Sequence, residues 1–553
     1  MRTVRQHVIW PVLVVCAAGA AATACSGGGS GSGANASGRA IDQVAHDQVT
    51  TGTATKDVGA VTWYGDYRPV YSLDPLKLAD YPEETIIPNL CEPMIRVAPD
   101  YKLSPGLVSW KFTTRTSLRL TVRSGVRFTD GATMTADDVA YSLNRNLDPK
   151  VASNYAYAFA DVRSIRAQGP ATVVVALKKP EPTFVDTLAT LAGAVVEKKF
   201  TEHAGQSFGS PKTGVVCTGP FKFKSYDGTS KLVMVRNDDY WDPSRKARAA
   251  QFTFVFPADP TAIANGLTSG QIDGGFDIPL SLIQTLKSTT AGTLYLGGEG
   301  STPVNIDLLM TKSTGVGADP RVRQALSTVI DRKAIASTIF DSAADPLYAV
   351  SGPGLWGYAT DQYRTAYRAY VSAPDVAPAK QLVAAAGAAG KTLVFGYPSG
   401  DPQSVQLATV IQQEAAQIGI KIKLSGLPNQ QYGSLFSDAK ARAPYDVIIT
   451  KNYVELPEPL EMDQLYGTAT GATNFSGYDN HDVAADLSAA SQAQNPEQRA
   501  RLVIEAEKRL AKDLPSIPIV TPRALVFENS RITGAPLTFA FMTSPWAAAI
   551  GGR

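Results

Sequence analysis

The protein has 553 residues, of which 44% are hydrophobic and 18% are charged, so its composition excludes a disordered chain and a protein embedded entirely in a membrane. At about 150 residues per domain, this length predicts three to four domain-sized units. The 52 Lys and Arg residues nearly balance the 50 Asp and Glu residues, which gives no electrostatic case for nucleic-acid binding, and the four histidines disfavour histidine-based metal or acid–base chemistry.

The first 24 residues are typical of an export signal. Arg2 and Arg5 form its positively charged start, and an apolar run over residues 8–22 follows. This run is shorter than the ~20 residues that a transmembrane helix needs to cross a bilayer. We therefore expect residues 1–24 to be removed on export, which leaves a mature chain whose basic and acidic side chains balance.

Cys25 is predicted to carry a lipid. The tetrapeptide Ala22-Thr23-Ala24-Cys25 resembles a bacterial lipobox, although a lipobox normally begins with Leu where this sequence has Ala22. The Gly- and Ser-rich segment over residues 25–40 is predicted to be the flexible tether that a lipid-anchored protein needs. The alternatives are an ordinary secretory signal followed by a linker, or an uncleaved anchor. We expect an exported protein held by lipid at the outer face of the cytoplasmic membrane.

The cysteines indicate one disulfide bond. Cys16 belongs to the signal and Cys25 takes the predicted lipid, so Cys91 and Cys217 remain as an even pair in an oxidising compartment. Two thiols this isolated rarely persist outside the cytoplasm, which favours a bond between them. The alternative is a pair of buried free thiols.

Regular hydrophobic patterns begin after the tether. Residues 61–64 form a short apolar strand candidate, and residues 118–123 alternate apolar and polar side chains, which predicts a half-buried strand. Thr135 is a candidate N-cap for the helix that follows, because Asp138 stands three residues later as in a capping box. The apolar face of this helix is predicted to consist of Val139, Leu143 and Leu147.

Three later helices begin with the same device. Asp319-Pro320, Asp401-Pro402 and Asn495-Pro496 each place a capping side chain before a proline at the first helical position. Gly419 is expected to end the second of these helices. Strands are predicted after the second and third helices, over residues 420–424 and 516–520. Helices and strands that alternate in this way predict an α/β protein.

Catalytic motifs are sparse. Gly390-Lys391-Thr392 looks like the end of a phosphate-binding loop, but Ala385 stands where such a loop needs Gly, and the strand follows the motif instead of preceding it. The histidines beyond the signal, His46, His203 and His481, lie far apart and next to no cysteine, which favours surface or core positions over metal ligation. No catalytic residue, metal ligand or cofactor-binding residue is predicted.

Two adjacent carboxylate pairs, Asp137-Asp138 and Asp238-Asp239, are explained by a helix N-terminus and a turn. A glycosidase-like pair elsewhere in the chain stays open, but no sequence feature singles one out. For a large exported protein tethered to a membrane, this lack of catalytic motifs favours binding over catalysis.

Several segments, in order along about residues 60–520, together resemble one protein family. The first are Ser72-Leu73-Asp74-Pro75, Asn89 to Met94, Pro105-Gly106-Leu107, Leu120 to Arg123, Gly125 to Gly131 and Thr135 to Val139. The later ones are Cys217 to Phe221 with Arg236-Asn237 and Tyr240-Trp241, Leu267 to Asp273, Asp319 to Asp331 and Asp513 to Pro518. By these segments the chain resembles the bacterial extracytoplasmic solute-binding proteins of the peptide/nickel type, which include oligopeptide- and dipeptide-binding lipoproteins and serve ABC importers.

The resemblance implies an α/β fold that is two-lobed and periplasmic-binding-protein-like (type II, peptide-binding subtype), with an extra domain inserted in the first lobe. Lobe I is expected to comprise residues 41–95, 194–290 and 516–553. The inserted domain is expected at residues 96–193 and lobe II at residues 291–515. Members of this family hold the ligand between the lobes, which close by a hinge motion and are then recognised by the membrane permease.

The resemblance also strengthens the disulfide prediction. Cys91 stands where the family usually has Tyr, and Cys217 stands where it usually has Gly. A cysteine at both positions favours a bond between them more strongly than the even count does.

The resemblance implies candidate ligand-binding residues. Peptide binders of the family hold the ligand backbone like an added strand. The expected contact from lobe I is an edge segment that consists of Trp63, Tyr64, Gly65 and Asp66. In lobe II of the family an acidic residue pairs with the α-ammonium of the peptide, and Glu455 stands at that position, as Glu where the family has Asp. Asn452 and Tyr453 are expected to supply a backbone edge and a side-chain donor.

We therefore predict a non-enzymatic lipoprotein that captures di- or oligopeptides and delivers them to the membrane subunits of an ABC import permease. We expect a monomer that needs no cofactor and binds no nucleic acid. Two alternatives stay open: the same fold with an oligosaccharide, a nickel chelate or haem as its ligand, and an exported hydrolase on an α/β scaffold.

Overall fold

The computed structural model describes residues 42–43, 48–77 and 80–553. The predicted export signal, the tether over residues 25–40, the lipidation site Cys25 and His46 lie outside these residues. Within the described part of the chain, no helix is long and apolar enough to cross a membrane.

Strands and helices are numbered in chain order. In the described part of the chain, strands β1 to β22 are Asp42–Gln43, Val58–Tyr64, Ile95–Val97, Leu103–Pro105, Val108–Thr114, Ser117–Val122, Val162–Ala167, Thr172–Leu177, Phe221–Tyr226, Lys231–Arg236, Ala249–Val255, Gly274–Phe276, Gly292–Leu296, Val304–Met310, Ala344–Pro346, Thr392–Pro398, Lys421–Leu427, Val447–Tyr453, Ser516–Pro522, Leu525–Asn529, Ile532–Thr533 and Gly551–Gly552. Helices α1 to α16 of the same residues are Tyr81–Ile86, Ala136–Asn144, Phe184–Thr187, Lys198–Ala204, Pro260–Ser269, Ile283–Ser288, Pro320–Val329, Arg332–Thr338, Thr360–Tyr367, Val376–Ala385, Pro402–Gln417, Asn429–Ser437, Ala439–Arg442, Pro459–Gly467, His481–Gln492 and Pro496–Asp513.

Three sheets carry most of the strands. The first sheet has the order β1-β13-β20-β12-β2-β11-β10-β9, and the second sheet has the order β15-β19-β14-β18-β16-β17. The third sheet, β5-β6-β8-β7, is antiparallel throughout. Strand β2 pairs in parallel with β11 and β12, and β16 pairs in parallel with β17 and β18. These parallel pairs, with helices between them in the sequence, confirm the α/β prediction.

The third sheet follows its sequence pattern. In β6, Leu118, Leu120 and Val122 are buried while the residues between them are exposed, which confirms the predicted half-buried strand. Helix α2 begins as predicted, because the Asp138 carboxylate accepts hydrogen bonds from the Thr135 backbone N–H at 2.9 Å and from its hydroxyl at 2.6 Å.

One detail of that helix is wrong in the prediction. Helix α2 ends at Asn144, and a 3₁₀ turn begins at Arg145. Leu147 therefore lies beyond the helix and is 40% exposed, instead of continuing the apolar face formed by Val139 and Leu143. The tighter 3₁₀ winding rotates later side chains away from the buried face.

The three predicted caps are present. Asp319, Asp401 and Asn495 each accept a backbone N–H of the first turn of α7, α11 and α16, respectively. Helix α11 ends at Gln417, and Gly419 follows with a positive φ of 83°, where glycine is unstrained. The strands predicted after α11 and α16 are also present, as β17 and β19.

The hydrophobic interior is divided between the sheets. One large core joins the first and third sheets and contains Trp63, Leu120 and Phe252. A separate core surrounds the second sheet and contains residues such as Leu308 and Ile517. The first and third sheets are thus packed together, whereas the second sheet has an interior of its own.

The chain passes between the first and second sheets at two places in the described residues. Residues 297–303 connect β13 to β14, and residues 523–524 connect β19 to β20. The two connections are bonded to each other: Gly297 N–H donates to the Ala524 carbonyl at 2.8 Å, and Ala524 N–H donates to Ser301 Oγ at 3.0 Å. They form a single joint between the two cores.

Membership of the sheets differs slightly from the expected lobe limits. The strand Gly292–Leu296 belongs to the first sheet, although residues from 291 are expected in lobe II. The strand Ser516–Pro522 belongs to the second sheet, although residues from 516 are expected in lobe I. The third sheet lies within residues 96–193. The lobe boundaries themselves stay a prediction.

A disulfide joins Cys91 to Cys217, as predicted. The two Cα atoms are 4.9 Å apart, and both side chains are fully buried in the larger core. Close by, Gly219 N–H donates to the Leu90 carbonyl at 2.9 Å. The bond connects the segment after α1 to the entry of β9, across a sequence separation of 126 residues.

Removing this bond is expected to destabilise the protein. For so long a loop, the chain-entropy model assigns about 5 kcal/mol as an upper figure, because the reduced unfolded chain gains the freedom that the bond removed. The double variant Cys91→Ala, Cys217→Ala should therefore unfold at lower denaturant concentration than the wild type. Reducing agent should shift the wild-type curve to the same position and leave the variant unchanged. Coincident wild-type curves with and without reductant would contradict the prediction.

Candidate ligand-binding site

Trp63 to Asp66 do not form a sheet edge. Strand β2, which ends at Tyr64, is an inner strand of the first sheet and pairs with β11 on one side and β12 on the other. Trp63 is fully buried, with its ring centroid 5.2 Å from that of Phe276. Gly65 N–H continues the pairing with β11 by donating to the Val255 carbonyl at 2.9 Å. The expected edge is therefore wrong for Trp63 and Tyr64, because neighbouring strands already pair with both sides of their backbone. A ligand contact by the four residues Trp63 to Asp66 stays a prediction.

Asp66 meets a second carboxyl beyond the end of β2. Asp277 directly follows β12, and the carboxyl ends of adjacent parallel strands lie at the same edge of a sheet. Both residues have positive φ, 86° for Asp66 and 45° for Asp277. Burial, and then repulsion by Asp277, raises the pKa of Asp66 to about 7, while Lys451 of the second sheet opposes this shift. The Oδ2 atom of Asp277 is buried without a hydrogen-bond partner among the described residues.

Glu84 connects three parts of the molecule. It lies fully buried in α1, and its carboxyl accepts one hydrogen bond from the Tyr155 hydroxyl and one from the Tyr453 hydroxyl, both at 2.9 Å. Tyr155 precedes a 3₁₀ turn next to the third sheet, whereas Tyr453 is the last residue of β18 in the second sheet. The Tyr453 hydroxyl thus donates to a carboxyl of the protein, and the donor role toward a ligand that the resemblance implies stays a prediction.

Aromatic contacts extend this junction. The Tyr81 ring of α1 lies edge-on to the Tyr453 ring, with centroids 5.0 Å apart, and Phe539 packs on both. The Lys451 ammonium lies 4.5 Å from the centroid of the Tyr81 ring. The end of β18 therefore contacts α1, the helix that follows β2 of the first sheet.

Asn452 is occupied within the second sheet. Its amide donates to the Tyr466 hydroxyl at 2.7 Å, and its Oδ1 accepts from the Thr450 hydroxyl at 3.0 Å. These bonds orient the side chain along the strand. The ligand contact expected for Asn452 stays a prediction. Because its side chain is already hydrogen-bonded, the backbone is the part of Asn452 that could make this contact.

The backbone of β18 has an open side near its end. On one side, residues 304–310 of β14 pair with the whole of β18. On the other side, β16 pairs with Val447 and Ile448, and none of the described strands pairs with residues 449–453. The strand edge without a strand neighbour thus lies here, in the second sheet, although the Tyr432 hydroxyl of α12 already donates to the Ile449 carbonyl.

Glu455 lies in the loop between β18 and α14. It is only 8% exposed, and it lines a cavity of about 620 Å³. Burial raises the pKa of Glu455, and burial together with repulsion by Glu455 raises the pKa of Glu84. The two carboxyls therefore face each other in a place where neither has a cationic neighbour.

The cavity is strongly acidic. One wall is formed by the loop after β18 and by α14, and the other by residues 155–190, which border the third sheet. One lysine, Lys179, and six acidic residues line it: Asp161, Glu181, Asp186, Glu455, Glu458 and Glu461.

Two of these carboxyls are neutralised by the protein. Asp161 pairs with Lys179 at 2.9 Å, and Glu458 pairs with Arg499 at 3.4 Å while accepting from the Tyr358 hydroxyl at 2.9 Å. The other four, Glu181, Asp186, Glu455 and Glu461, form no ion pair within the described residues. The Glu455 carboxyl is within hydrogen-bond reach of its own backbone N–H and of the Glu84 carboxyl.

Burial shifts the acidity of these carboxyls, although Lys179 near Glu181 and Arg499 near Asp186 oppose the shift. Burial raises the pKa of Glu181 to about 7, with a further contribution from Asp161, and the pKa of Asp186 to about 7, with a further contribution from Glu458. Burial, and then repulsion by Glu455, raises the pKa of Glu461 well above its usual range. Near neutral pH the cavity therefore carries carboxyl groups that a cation would bring into the ionised form.

The sequence predicted Glu455 as a ligand-binding residue but did not predict the other acidic residues of the cavity. Glu455, Glu458 and Glu461 follow one another at intervals of three residues, which places them on one side of a turn and the helix after it. This spacing in the sequence indicates that Glu458 and Glu461 lie near Glu455. Glu181 and Asp186 lie far away in the sequence, and only the fold brings them to the same cavity, as it brings Glu84 next to Glu455.

Metal coordination finds little support in the described residues. No group of three or more His, Cys, Asp or Glu side chains in them is arranged to hold a metal ion. His203 lies in the last turn of α4, and His481 is the first residue of α15, so these two lie on separate elements.

The sequence matches a model of known proteins over residues 98–474, more than half of the chain. The model is that of the bacterial extracellular solute-binding proteins, family 5 Middle.

Individual proteins are similar over most of their length. The periplasmic murein peptide-binding protein MppA of Escherichia coli (strain K12) is 26% identical over 474 residues, which cover 81% of this chain and 85% of MppA. The glutathione-binding protein GsiB of Salmonella typhi is 26% identical over 425 residues, which cover 75% of this chain and 79% of GsiB.

A solved structure shares the fold. The ABC transporter-associated periplasmic binding protein DppA of Helicobacter pylori, in complex with the peptide STSA, superimposes with a TM-score of 0.75 at 20% identity. The match covers 90% of this chain and 98% of DppA. The predicted two-lobed fold of the type II peptide-binding class is thereby confirmed.

The unpaired carboxyls make the stability of the unliganded protein depend on pH. Glu181 and Asp186 have raised pKa values in the folded state, so between about pH 4.5 and 7 the folded protein retains protons that the unfolded chain has released. Their contribution to stability is therefore present below about pH 4.5 and is lost as the pH rises through 7.

We expect the melting temperature to fall by several degrees between pH 5.5 and pH 8, as measured by differential scanning calorimetry. The double variant Glu181→Gln, Asp186→Asn should show a smaller fall and a higher melting temperature at pH 8. An equal fall in wild type and variant would refute the assignment.

Proposed function

Since the chain belongs to the bacterial extracellular solute-binding proteins of family 5, we propose that it captures di- and oligopeptides outside the cytoplasm and delivers them to the permease of an ABC importer. Proteins of this family bind solutes for ABC importers. The peptide ligand, the delivery step, the lipid at Cys25 and the monomeric state are parts of the proposal.

One observation carries the choice of ligand. Glu455 is a nearly fully buried carboxyl that lines a cavity and faces another carboxyl, with no cationic partner from the described chain. An uncompensated carboxylate in such a place is costly, and the α-ammonium of a peptide offsets that cost by a charge-assisted hydrogen bond. Glu455 thus serves as the anchor for the N-terminus of the ligand.

The strand edge next to Glu455 suits a peptide backbone. Residues 449–453 of β18 have no strand neighbour on one side among the described residues. An extended peptide laid along this edge takes up backbone hydrogen bonds regardless of its side chains. Glu455 follows the edge directly, so the peptide begins where the strand ends.

The remaining predicted residues take supporting roles. Tyr453 holds Glu84 and packs on Tyr81, so it joins the two sides of the cleft. Asp66 and Asp277 border the cleft from the end of the first sheet, opposite Lys451. We assign Asn452, Tyr64 and Gly65 to the walls of the site, whereas the buried Trp63 supports it from the core.

Capture proceeds by movement at the joint between the two cores. Residues 297–303 and 523–524 are the two connections between the first and second sheets, and they are bonded to each other. Rotation about this joint opens the cavity to solvent, and closure buries the ligand. A closed cavity excludes water, so groups left unpaired by a wrong ligand are penalised.

The test is the dependence of binding on a free amino terminus. In Glu455→Gln, alanine peptides of two to five residues should bind about 10- to 100-fold more weakly, because a hydrogen bond to a charged group contributes about 1.5–3 kcal/mol. N-acetylated peptides, which lack the ammonium, should bind weakly to wild type and variant alike. Isothermal titration calorimetry measures both.

Glu505→Gln, an exposed substitution on α16, serves as the control and should bind like the wild type. Mass spectrometry of the material released from the purified protein gives an independent answer, for which short heterogeneous peptides are expected. Release of a sugar or a metal chelate, or equal loss of free and acetylated peptides in Glu455→Gln, would refute the proposal.

A further inference from the structure

Three carboxyls of the acidic cavity remain after Glu455 is assigned to the amino terminus of a peptide. Glu181 and Asp186 come from the wall that borders the third sheet, and Glu461 comes from α14 on the opposite wall. None of the three receives a hydrogen bond or an ion pair from the described residues, and the Oε2 atom of Glu181 is fully enclosed. They converge on one space from separate elements of the fold.

The same cavity shows how the chain neutralises an acid when no ligand is needed. Glu458 is paired with Arg499 and accepts a hydroxyl from Tyr358, and Asp161 is paired with Lys179. Glu181, Asp186 and Glu461 are half-buried, and the Oε2 atom of Glu181 is fully enclosed. An enclosed carboxylate oxygen is ordinarily paired in this manner, because an unpaired charge loses its hydration. The missing partners of the other acids therefore indicate a cation that comes from outside the chain.

The ammonium group of a peptide N-terminus cannot neutralise all four of the cavity carboxyls that lack an ion pair. Glu455, which is only 8% exposed and lines the cavity, already accounts for the amino terminus. The volume of about 620 Å³ falls in the range of sites that enclose a whole small ligand, so the space extends well beyond one ammonium.

We propose that the ligand carries a second cationic group, namely the side chain of an N-terminal Lys or Arg, and that Glu181, Asp186 and Glu461 bind it. This inference rests on the proposed peptide-binding function and specifies the class of peptide. A free diamine satisfies the same carboxyls, but it leaves the open edge of residues 449–453 unused, which favours a peptide.

The first experiment compares two peptides that differ only in this charge. Lys-Ala-Ala and norleucine-Ala-Ala have first side chains of similar length, and norleucine has no ammonium. By isothermal titration calorimetry at pH 7.5 and low salt, the wild type should bind Lys-Ala-Ala about tenfold or more tightly, since a buried charge pair makes a contribution of this size. Putrescine and spermidine are titrated alongside as the diamine probes, and both should bind more weakly than Lys-Ala-Ala.

The second experiment assigns the preference to the three acids. Glu461→Gln, and separately Asp186→Asn, should each weaken the binding of Lys-Ala-Ala about tenfold while leaving norleucine-Ala-Ala within about twofold. The exposed substitution Glu505→Gln should change neither value. Both cavity variants should melt at or above the wild-type temperature at pH 8, because each removes a half-buried charge that has no ion-pair partner. This melting temperature excludes misfolding as the cause of weaker binding.

The outcomes separate the two proposals. Equal affinity of the wild type for the lysine and norleucine peptides would overturn the second cation site and leave peptide binding standing. Binding of diamines with no binding of any peptide would overturn the peptide ligand and support the acidic site as a receptor for dications. Loss of both peptides to the same extent in Glu461→Gln would overturn the assignment of that residue to the side chain.

Discussion

The molecule depends on a joint made of two short stretches of chain. Residues 297–303 and 523–524 connect the first and second sheets, and hydrogen bonds between Gly297, Ser301 and Ala524 hold the two stretches together. The first and third sheets share one hydrophobic core, to which Val304 of β14 and Leu456 also belong, and the second sheet has a separate core. The space between the sheets can thus open and close while each core stays intact.

The surfaces on either side of that space carry unusual charge. Glu84 and Glu455 face each other, Asp66 faces Asp277, and further acids line the cavity beside α14. Such groups lower the stability of the empty closed form, because their ionised state is poorly solvated. A cationic ligand removes this penalty, so the same groups that destabilise the unliganded protein favour closure around the correct ligand.

The region around the disulfide, in contrast to the cavity, is apolar and stabilised by a covalent bond. Cys91 and Cys217 lie fully buried within the core shared by the first and third sheets, at a distance in sequence that makes the bond effective against the unfolded chain. Stability is therefore concentrated in the body that carries the third sheet, away from the cavity.

The amino-acid sequence by itself determined the local elements and the family. Thr135, Asp401 and Asn495 cap helices because capping is a contact within one turn, and the alternation in β6 follows from the two faces of a strand. The order of strands within the sheets was decided only by the tertiary structure, since pairing joins residues far apart in the chain. For that reason the expected edge at Trp63 proved to be an inner strand, and the acids that surround Glu455 could not be recognised from their separate positions in the sequence.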